Sequence, residues 1–152
     1  TFVVEIPITA VPDAEAPMPA PPDAEPDGAQ LHVLVVDDEP SIRAALERML
    51  GVLGHRVTLA ADGEEARRAM DAATFERVIL DVRMPRLGGE AFFGELQAHF
   101  PAMIPRTIVL TGDLESEAAE RMARESGGAT LHKPFTLDDV RRALSARHAA
   151  KR

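Results

Sequence analysis

The chain has 152 residues, a formal net charge of −8, 45% hydrophobic residues and no cysteine, tryptophan or tyrosine. That length suits one domain with enough chain to bury a core, and the lack of cysteine excludes disulfides, thiolate metal sites and cysteine nucleophiles. No apolar run nears the roughly 20 residues of a membrane span, no signal peptide opens the chain, and no basic face offers a nucleic-acid footprint. A cytoplasmic segment without membrane or nucleic-acid contact is therefore expected.

In chain order, the first feature is Thr1–Ile8 (T-F-V-V-E-I-P-I), a short β-type run with no neighbouring strand in sequence. It reads as the last strand of a preceding domain, and with Thr1 in first place the chain is expected to come from something longer. Residues 1–30 hold Glu5, Asp13, Glu15, Asp23, Glu25 and Asp27, no lysine or arginine, and seven of the twelve prolines. The stretch 9–30 is thus expected to be an extended, self-repelling linker. The charge balance changes after it, with 17 basic and 19 acidic groups over the rest of the chain.

Residues 31–148 alternate between two periodicities, with a short tail at 149–152. Strands are expected at Leu31–Val36, Arg56–Ala60, Arg77–Asp81, Arg106–Thr111 and Thr130–His132. Helices are expected near Ser41–Leu53, Gly63–Ala72, Gly89–Phe100, Leu114–Ser126 and Leu137–Arg147. Ile42, Ala45, Leu46, Met49, Leu50 and Leu53 make an apolar face at i, i+3, i+4 and i+7. Asp62-Gly63, Gly88-Gly89 and Gly127-Gly128 mark turns. Five such units predict an α/β fold, a (βα)5 doubly wound five-stranded parallel sheet with right-handed crossovers.

The chemistry-bearing residues fall where these strands end. V-L-V-V-D-D-E-P at Val33–Pro40 and V-I-L-D-V-R-M-P at Val78–Pro85 put Asp37, Asp38 and Asp81 after apolar runs of the kind buried on both faces. Open parallel sheets bind ligands at their carboxyl edge, and three carboxylates meeting there repel unless a hard cation joins them. Mg²⁺ is the cation such a set suits, with Asp38 free to ligate while Asp37 orients a water. Lys133, in L-H-K-P-F at Leu131–Phe135, adds a point charge for a phosphoryl oxygen. Thr111 adds a hydroxyl beside Gly112, where the backbone can approach a ligand. A carboxylate nucleophile, a divalent ion, an ammonium and a hydroxyl are the parts of phosphoryl transfer to aspartate.

D-D-x-P, L-D-x-x-M-P about 44 residues on, then T-G and K-P-F, together resemble the response-regulator receiver family over Leu31–Arg147. The resemblance implies a flavodoxin-like fold that catalyses its own phosphorylation and dephosphorylation. Asp81 would be the phospho-acceptor, Lys133 the phosphate-binding lysine and Thr111 the switch hydroxyl. Mg²⁺ would be held by Asp38, Asp81 and the Arg83 carbonyl, with Asp37 acting largely through water, and Lys133-Pro134 would be a cis peptide. Two positions depart from the family pattern: Thr130 stands where an aromatic is usual, and Arg83 puts a long cation two residues after the acceptor. Thr1–Ile8 also resembles the end of the G-T-x-F-x-[V/L]-x-[I/L]-P motif that closes the ATP-binding domain of sensor histidine kinases. The two resemblances together imply the receiver of a hybrid, ATP-dependent histidine kinase, with no output domain after it. Its partners would be a histidine kinase core, in cis or trans, and a histidine phosphotransfer protein.

Single residues also have plainer readings. A lone strand-end Asp is more often a turn or cap residue, and Thr111 alone is equally explained by β-propensity; their combination with Lys133 favours function. His32, His55, His99, His132 and His148 lack metal spacing. Phe92, Phe93 and Phe100 are expected to pack a helix on the sheet, and Arg141, Arg142 and Arg147 to form a solvated face. Three other functions compete: a docking module that no longer uses phosphate, a stand-alone single-domain regulator, and an aspartate phosphatase. The last wants a second acid two residues after its nucleophile, where this chain has Arg83.

Overall fold

The computed structural model describes residues 30–146, apart from 85, 114 and 128. The strand expected at Thr1–Ile8, all of the linker but Gln30, and the chain from 147 onward lie outside the described residues. Strands β1 (His32–Val36), β2 (Arg56–Ala60), β3 (Arg77–Asp81), β4 (Thr107–Thr111) and β5 (Thr130–His132) form one parallel sheet in the order β2-β1-β3-β4-β5. Between and after them run α1 (Pro40–Val52), α2 (Gly63–Ala72), α3 (Gly89–His99), α4 (Glu117–Ser126) and α5 (Leu137–Ser145). This is the expected (βα)5, flavodoxin-like arrangement. The chain turns outward in both directions from β1 and β3, so the crevice between their carboxyl ends is the topological switch point.

Two apolar layers fix the sheet. Leu34, Val36, Val78, Leu80 and Val109 face Ala66 and Met70 of α2, Phe92, Phe93 and Leu96 of α3, and Met122 of α4. The alternate residues Val33, Val35, Ile79, Ile108 and Leu110 face Leu46 and Leu50 of α1 and Val140 and Leu144 of α5. Strands buried on both faces explain why β1 and β3 read as unbroken apolar runs. Phe92 is fully buried and Phe93 nearly so, as expected. Phe135 packs on the second layer, where it anchors the loop before α5. Arg141 and Arg142 pair with Asp138 and Asp139 of their own helix.

Element ends follow local capping. Asp62 caps α2 by accepting from Glu65 N–H at 2.8 Å, and Thr136 with Asp139 forms a capping box on α5. Helix α4 begins at Glu117, later than the expected Leu114, because the Ser116 hydroxyl accepts from Ala119 N–H and caps it there. The residues before that cap turn around Asp113 instead, whose Oδ1 accepts from Glu115 N–H at 2.9 Å. A 3₁₀ segment at Pro101–Arg106, not foreseen in the sequence, carries the chain from α3 into β4. Among the described residues no helix is long and apolar enough to cross a membrane.

Candidate functional site

Strand register assembles the site. Pairing of β1 with β3 ends with Val36 opposite Leu80, so Asp37 and Asp81 come off neighbouring strand ends side by side. Pairing of β3 with β4 sets Asp81 opposite Leu110, one residue before Thr111. Thr111 in turn pairs with His132, one residue before Lys133, and Lys133 N–H donates to Thr111 O at 2.9 Å. Asp38, Asp81, Arg83, Thr111 and Lys133 line one cleft together with Glu39, Gly112 and Asp113.

Carboxylate oxygens of Asp37, Asp38 and Asp81 all lie within 4.8 Å of one another. Asp37 is fully buried and held on several sides. Its N–H donates to Ala60 O at 3.1 Å, its Oδ1 accepts from Glu39 N–H at 2.8 Å, and its carbonyl accepts from Arg43 Nη1 at 2.7 Å. Lys133 Nζ sits 3.2 Å from Asp37 Oδ2, 3.6 Å from Asp81 Oδ1 and 3.5 Å from Glu39 Oε1. The Lys133-Pro134 peptide is cis.

Burial dominates the electrostatics. It raises Asp81 to about 6, helped by the charge of Asp37 and opposed by Lys133 and by the Arg83 N–H bonded to the carboxylate. Burial also lifts Asp37, against the Glu39 N–H bond and the Lys133 ammonium. On Lys133 burial works against the charge, but Asp81, Asp37 and Glu39 outweigh it and the ammonium is held above its usual range. One lysine thus faces more negative charge than it can offset. Asp37 Oδ2 is moreover a buried oxygen that meets the Lys133 ammonium at 3.2 Å but is otherwise unsatisfied, and a water on a cation would fill its remaining lone pair. An all-oxygen, half-open set of this kind fits a hard divalent ion such as Mg²⁺.

Thr111 is nearly buried, and its hydroxyl donates to Asp113 O at 3.0 Å while accepting from Asp113 N–H at 3.1 Å. Arg83 Nη2 reaches across the mouth of the cleft to Asp113 Oδ2 at 2.6 Å. Gly112 lines the cleft beside the stem of Lys133, where a Cβ would make an ordinary contact 3.8 Å from Lys133 Cδ. A close approach between backbones occurs at Gly89, where a Cβ would fall 2.0 Å from Asp81 O and 2.8 Å from Val82 Cα. Thr130 lies half-buried in β5.

Sequence reasoning singled out Asp37, Asp38, Asp81, Thr111, Lys133 and Arg83, and the fold brings all six together. It missed Arg43, Glu39, Asp113 and the role of Gly89. An Asp two residues after Thr111 and a Gly-Gly pair opening α3 were the available signals.

A family model described as the response regulator receiver domain matches residues 33–145. The transcriptional regulatory protein TcrA of Mycobacterium tuberculosis is 38% identical over 122 residues, covering 77% of this chain and 47% of that protein. This chain therefore spans about half the length of that relative. A probable chemotaxis protein CheY of Rhizobium etli is 30% identical over 118 residues, covering 77% of this chain and 92% of that protein. Among solved structures, the receiver domain of a Pseudomonas aeruginosa sensor histidine kinase superposes with a TM-score of 0.67 at 31% identity. That match covers 76% of this chain and 95% of the other, which holds a magnesium ion in its active site cleft.

Proposed function

This chain belongs to the response-regulator receiver family of two-component systems, and from that premise we propose that it takes a phosphoryl group from a phosphohistidine onto Asp81. The observation that carries the reading is the meeting of Asp37, Asp38, Asp81, Thr111 and Lys133 at one carboxyl edge of the sheet. In the transfer, an Asp81 carboxylate oxygen attacks phosphorus as the P–N bond to the donor imidazole breaks, and the departing ring nitrogen takes up a proton. An acceptor pKa of about 6 leaves most Asp81 ionised at neutral pH and therefore nucleophilic. Lys133 Nζ, 3.6 Å from Asp81 Oδ1, offsets charge on the transferring oxygens. The Thr111 hydroxyl donates to one of those oxygens once phosphate is in place.

Asp38, Asp81 and the carbonyl of Arg83 are the proposed Mg²⁺ ligands, with Asp37 acting through water. Bound there, the ion supplies positive charge that screens the carboxylates and the phosphoryl oxygens from one another. The magnesium ion coordinated in the cleft of the Pseudomonas neighbour supports the choice of ion. The motif at Thr1–Ile8 and the acidic linker at 9–30 support a wider reading: a hybrid sensor histidine kinase that phosphorylates this receiver in the cytoplasm and passes the group to a histidine phosphotransfer protein. On that reading neither nucleic acid nor membrane is contacted by this segment.

Intact mass and phosphate-affinity electrophoresis after treatment with acetyl phosphate and Mg²⁺ test the acceptor. The wild type is expected to gain one phosphoryl group and Asp81→Asn none. An adduct that persists in Asp81→Asn refutes the assignment, and a wild type that never reacts favours a docking module on the receiver fold.

A further inference from the structure

Arg83 is a long cation, 75% exposed, whose guanidinium bridges the loop after β3 to the loop after β4 through Asp113 Oδ2 at 2.6 Å. Asp113 is also the residue that holds Thr111. Its carbonyl accepts the Thr111 hydroxyl hydrogen at 3.0 Å, its N–H donates back at 3.1 Å, and its Oδ1 anchors Glu115 N–H at 2.9 Å. With the Arg83–Asp113 pair closed, the single hydrogen of Thr111 is spent on its own loop. For Thr111 to donate to a phosphoryl oxygen on Asp81, the bond to Asp113 O has to break.

An anion arriving on Asp81 competes for the same guanidinium. Arg83 lines the cleft with Asp81 and is tied by its backbone N–H to that carboxylate, and its side chain is exposed enough to swing. A phosphoryl group carries close to two negative charges and three acceptor oxygens, against the one charge of Asp113. The guanidinium donates charge-assisted hydrogen bonds to a carboxylate or to a phosphoryl oxygen alike.

We propose that Arg83 and Asp113 form a latch across the cleft, and that phosphate on Asp81 opens it by drawing Arg83 away from Asp113, which frees the loop carrying Thr111. Arg83 is then a positioning residue that makes Thr111 respond to the anion, and Asp113 is its resting partner. The latch rests on the reading of Asp81 as acceptor. It gives Arg83 a definite sign: the resting pair opposes anion binding, so weakening Asp113 alone strengthens binding.

The test uses the 152-residue chain with beryllofluoride and Mg²⁺ as phosphoryl mimic, in wild type, Asp113→Asn, Arg83→Met, Arg83→Lys and the double variants Arg83→Met/Asp113→Asn and Arg83→Lys/Asp113→Asn. Asparagine keeps an oxygen for Glu115 N–H and removes only the ion pair. Without ligand, Asp113→Asn and Arg83→Met are both expected to move the Thr111 methyl resonance toward its beryllofluoride-bound position. Asp113→Asn is expected to tighten beryllofluoride binding by about 3- to 5-fold, the worth of one exposed ion pair. That gain is expected with Arg83 or Arg83→Lys present and to vanish with Arg83→Met. An equal gain in the Arg83→Met background, or an unmoved Thr111 resonance in the ligand-free variants, overturns the latch. A wild type that binds no beryllofluoride overturns the acceptor reading and the latch with it, whereas binding with purely additive variants overturns the latch alone.

Discussion

Removing the charge of Asp81 is expected to stabilise the metal-free protein. In the fold this carboxyl is 4% exposed and its pKa is raised to about 6 from an ordinary 3.8, first by burial and then by the charge of Asp37. A raised carboxylate pKa means that the folded state binds the proton more tightly than the unfolded chain. The penalty is therefore absent below about pH 4, grows as pH rises through the window from 4 to 6, and is complete above it. A shift of about 2 units corresponds to about 3 kcal/mol, and screening through the open side of the cleft reduces this to about 1–2 kcal/mol. Asp81→Asn keeps the shape and removes the charge, while Lys133 retains Asp37 and Glu39 as partners. Thermal unfolding in EDTA at pH 8 should then show the variant melting about 3–8 °C higher than the wild type, with the gain gone at pH 4. A variant that is less stable at pH 8, or a gain that does not change with pH, would refute the account of crowded carboxylates.

Three further outcomes follow from the same geometry. Asp38→Ala should weaken Mg²⁺ binding, read as loss of the stabilisation that saturating Mg²⁺ gives the wild type, about 2.7 kcal/mol at 100 times Kd; an unchanged response would remove Asp38 from the ligand set. Lys133→Ala leaves buried Asp37 facing Asp81 without its ammonium, so it should cost about 1–3 kcal/mol at pH 8 and less at pH 5, where protons replace the lysine. Urea titrations at both pH values check this, and a cost equal at both would point to packing instead. Gly89→Ala pushes a methyl to 2.0 Å from Asp81 O, so loss of at least about 2 kcal/mol is expected, together with weakened Mg²⁺ binding through the displaced Asp81–Arg83 backbone. Stability and metal affinity both at wild-type level would mean that the loop yields freely.

The sheet was legible because burial on both faces leaves a mark in sequence: Val33–Val36 and Val78–Leu80 carry no polar residue, and each run halts at an aspartate. The acid–lysine constellation was legible for the same reason, since strand ends locate it without knowledge of the pairing. What stayed hidden depends on partners distant in the chain. Asp113 is met across the cleft by Arg83, 30 residues away, and Arg43 matters because one turn of α1 brings it back over the Asp37 carbonyl. Helical spacing continues through Glu115 and so places the start of α4 too early, whereas the turn at Asp113 takes up the Glu115 amide and the Ser116 cap takes up that of Ala119. Gly89 was visible as a turn signal, but its closeness to Asp81 O is a tertiary fact. The 3₁₀ segment at Pro101–Arg106 carries Pro105 inside it, and two prolines in six residues give no periodic pattern to read.

The most direct test of the central claim is the chemical location of the phosphoryl group. After reaction with acetyl phosphate and Mg²⁺, borohydride reduces an aspartyl phosphate to homoserine, and peptide mass spectrometry finds the residue. Homoserine at position 81, with Asp37 and Asp38 intact, is the expected result. Homoserine at either of those residues, or phosphate retained on a serine, threonine or histidine after reduction, would contradict it.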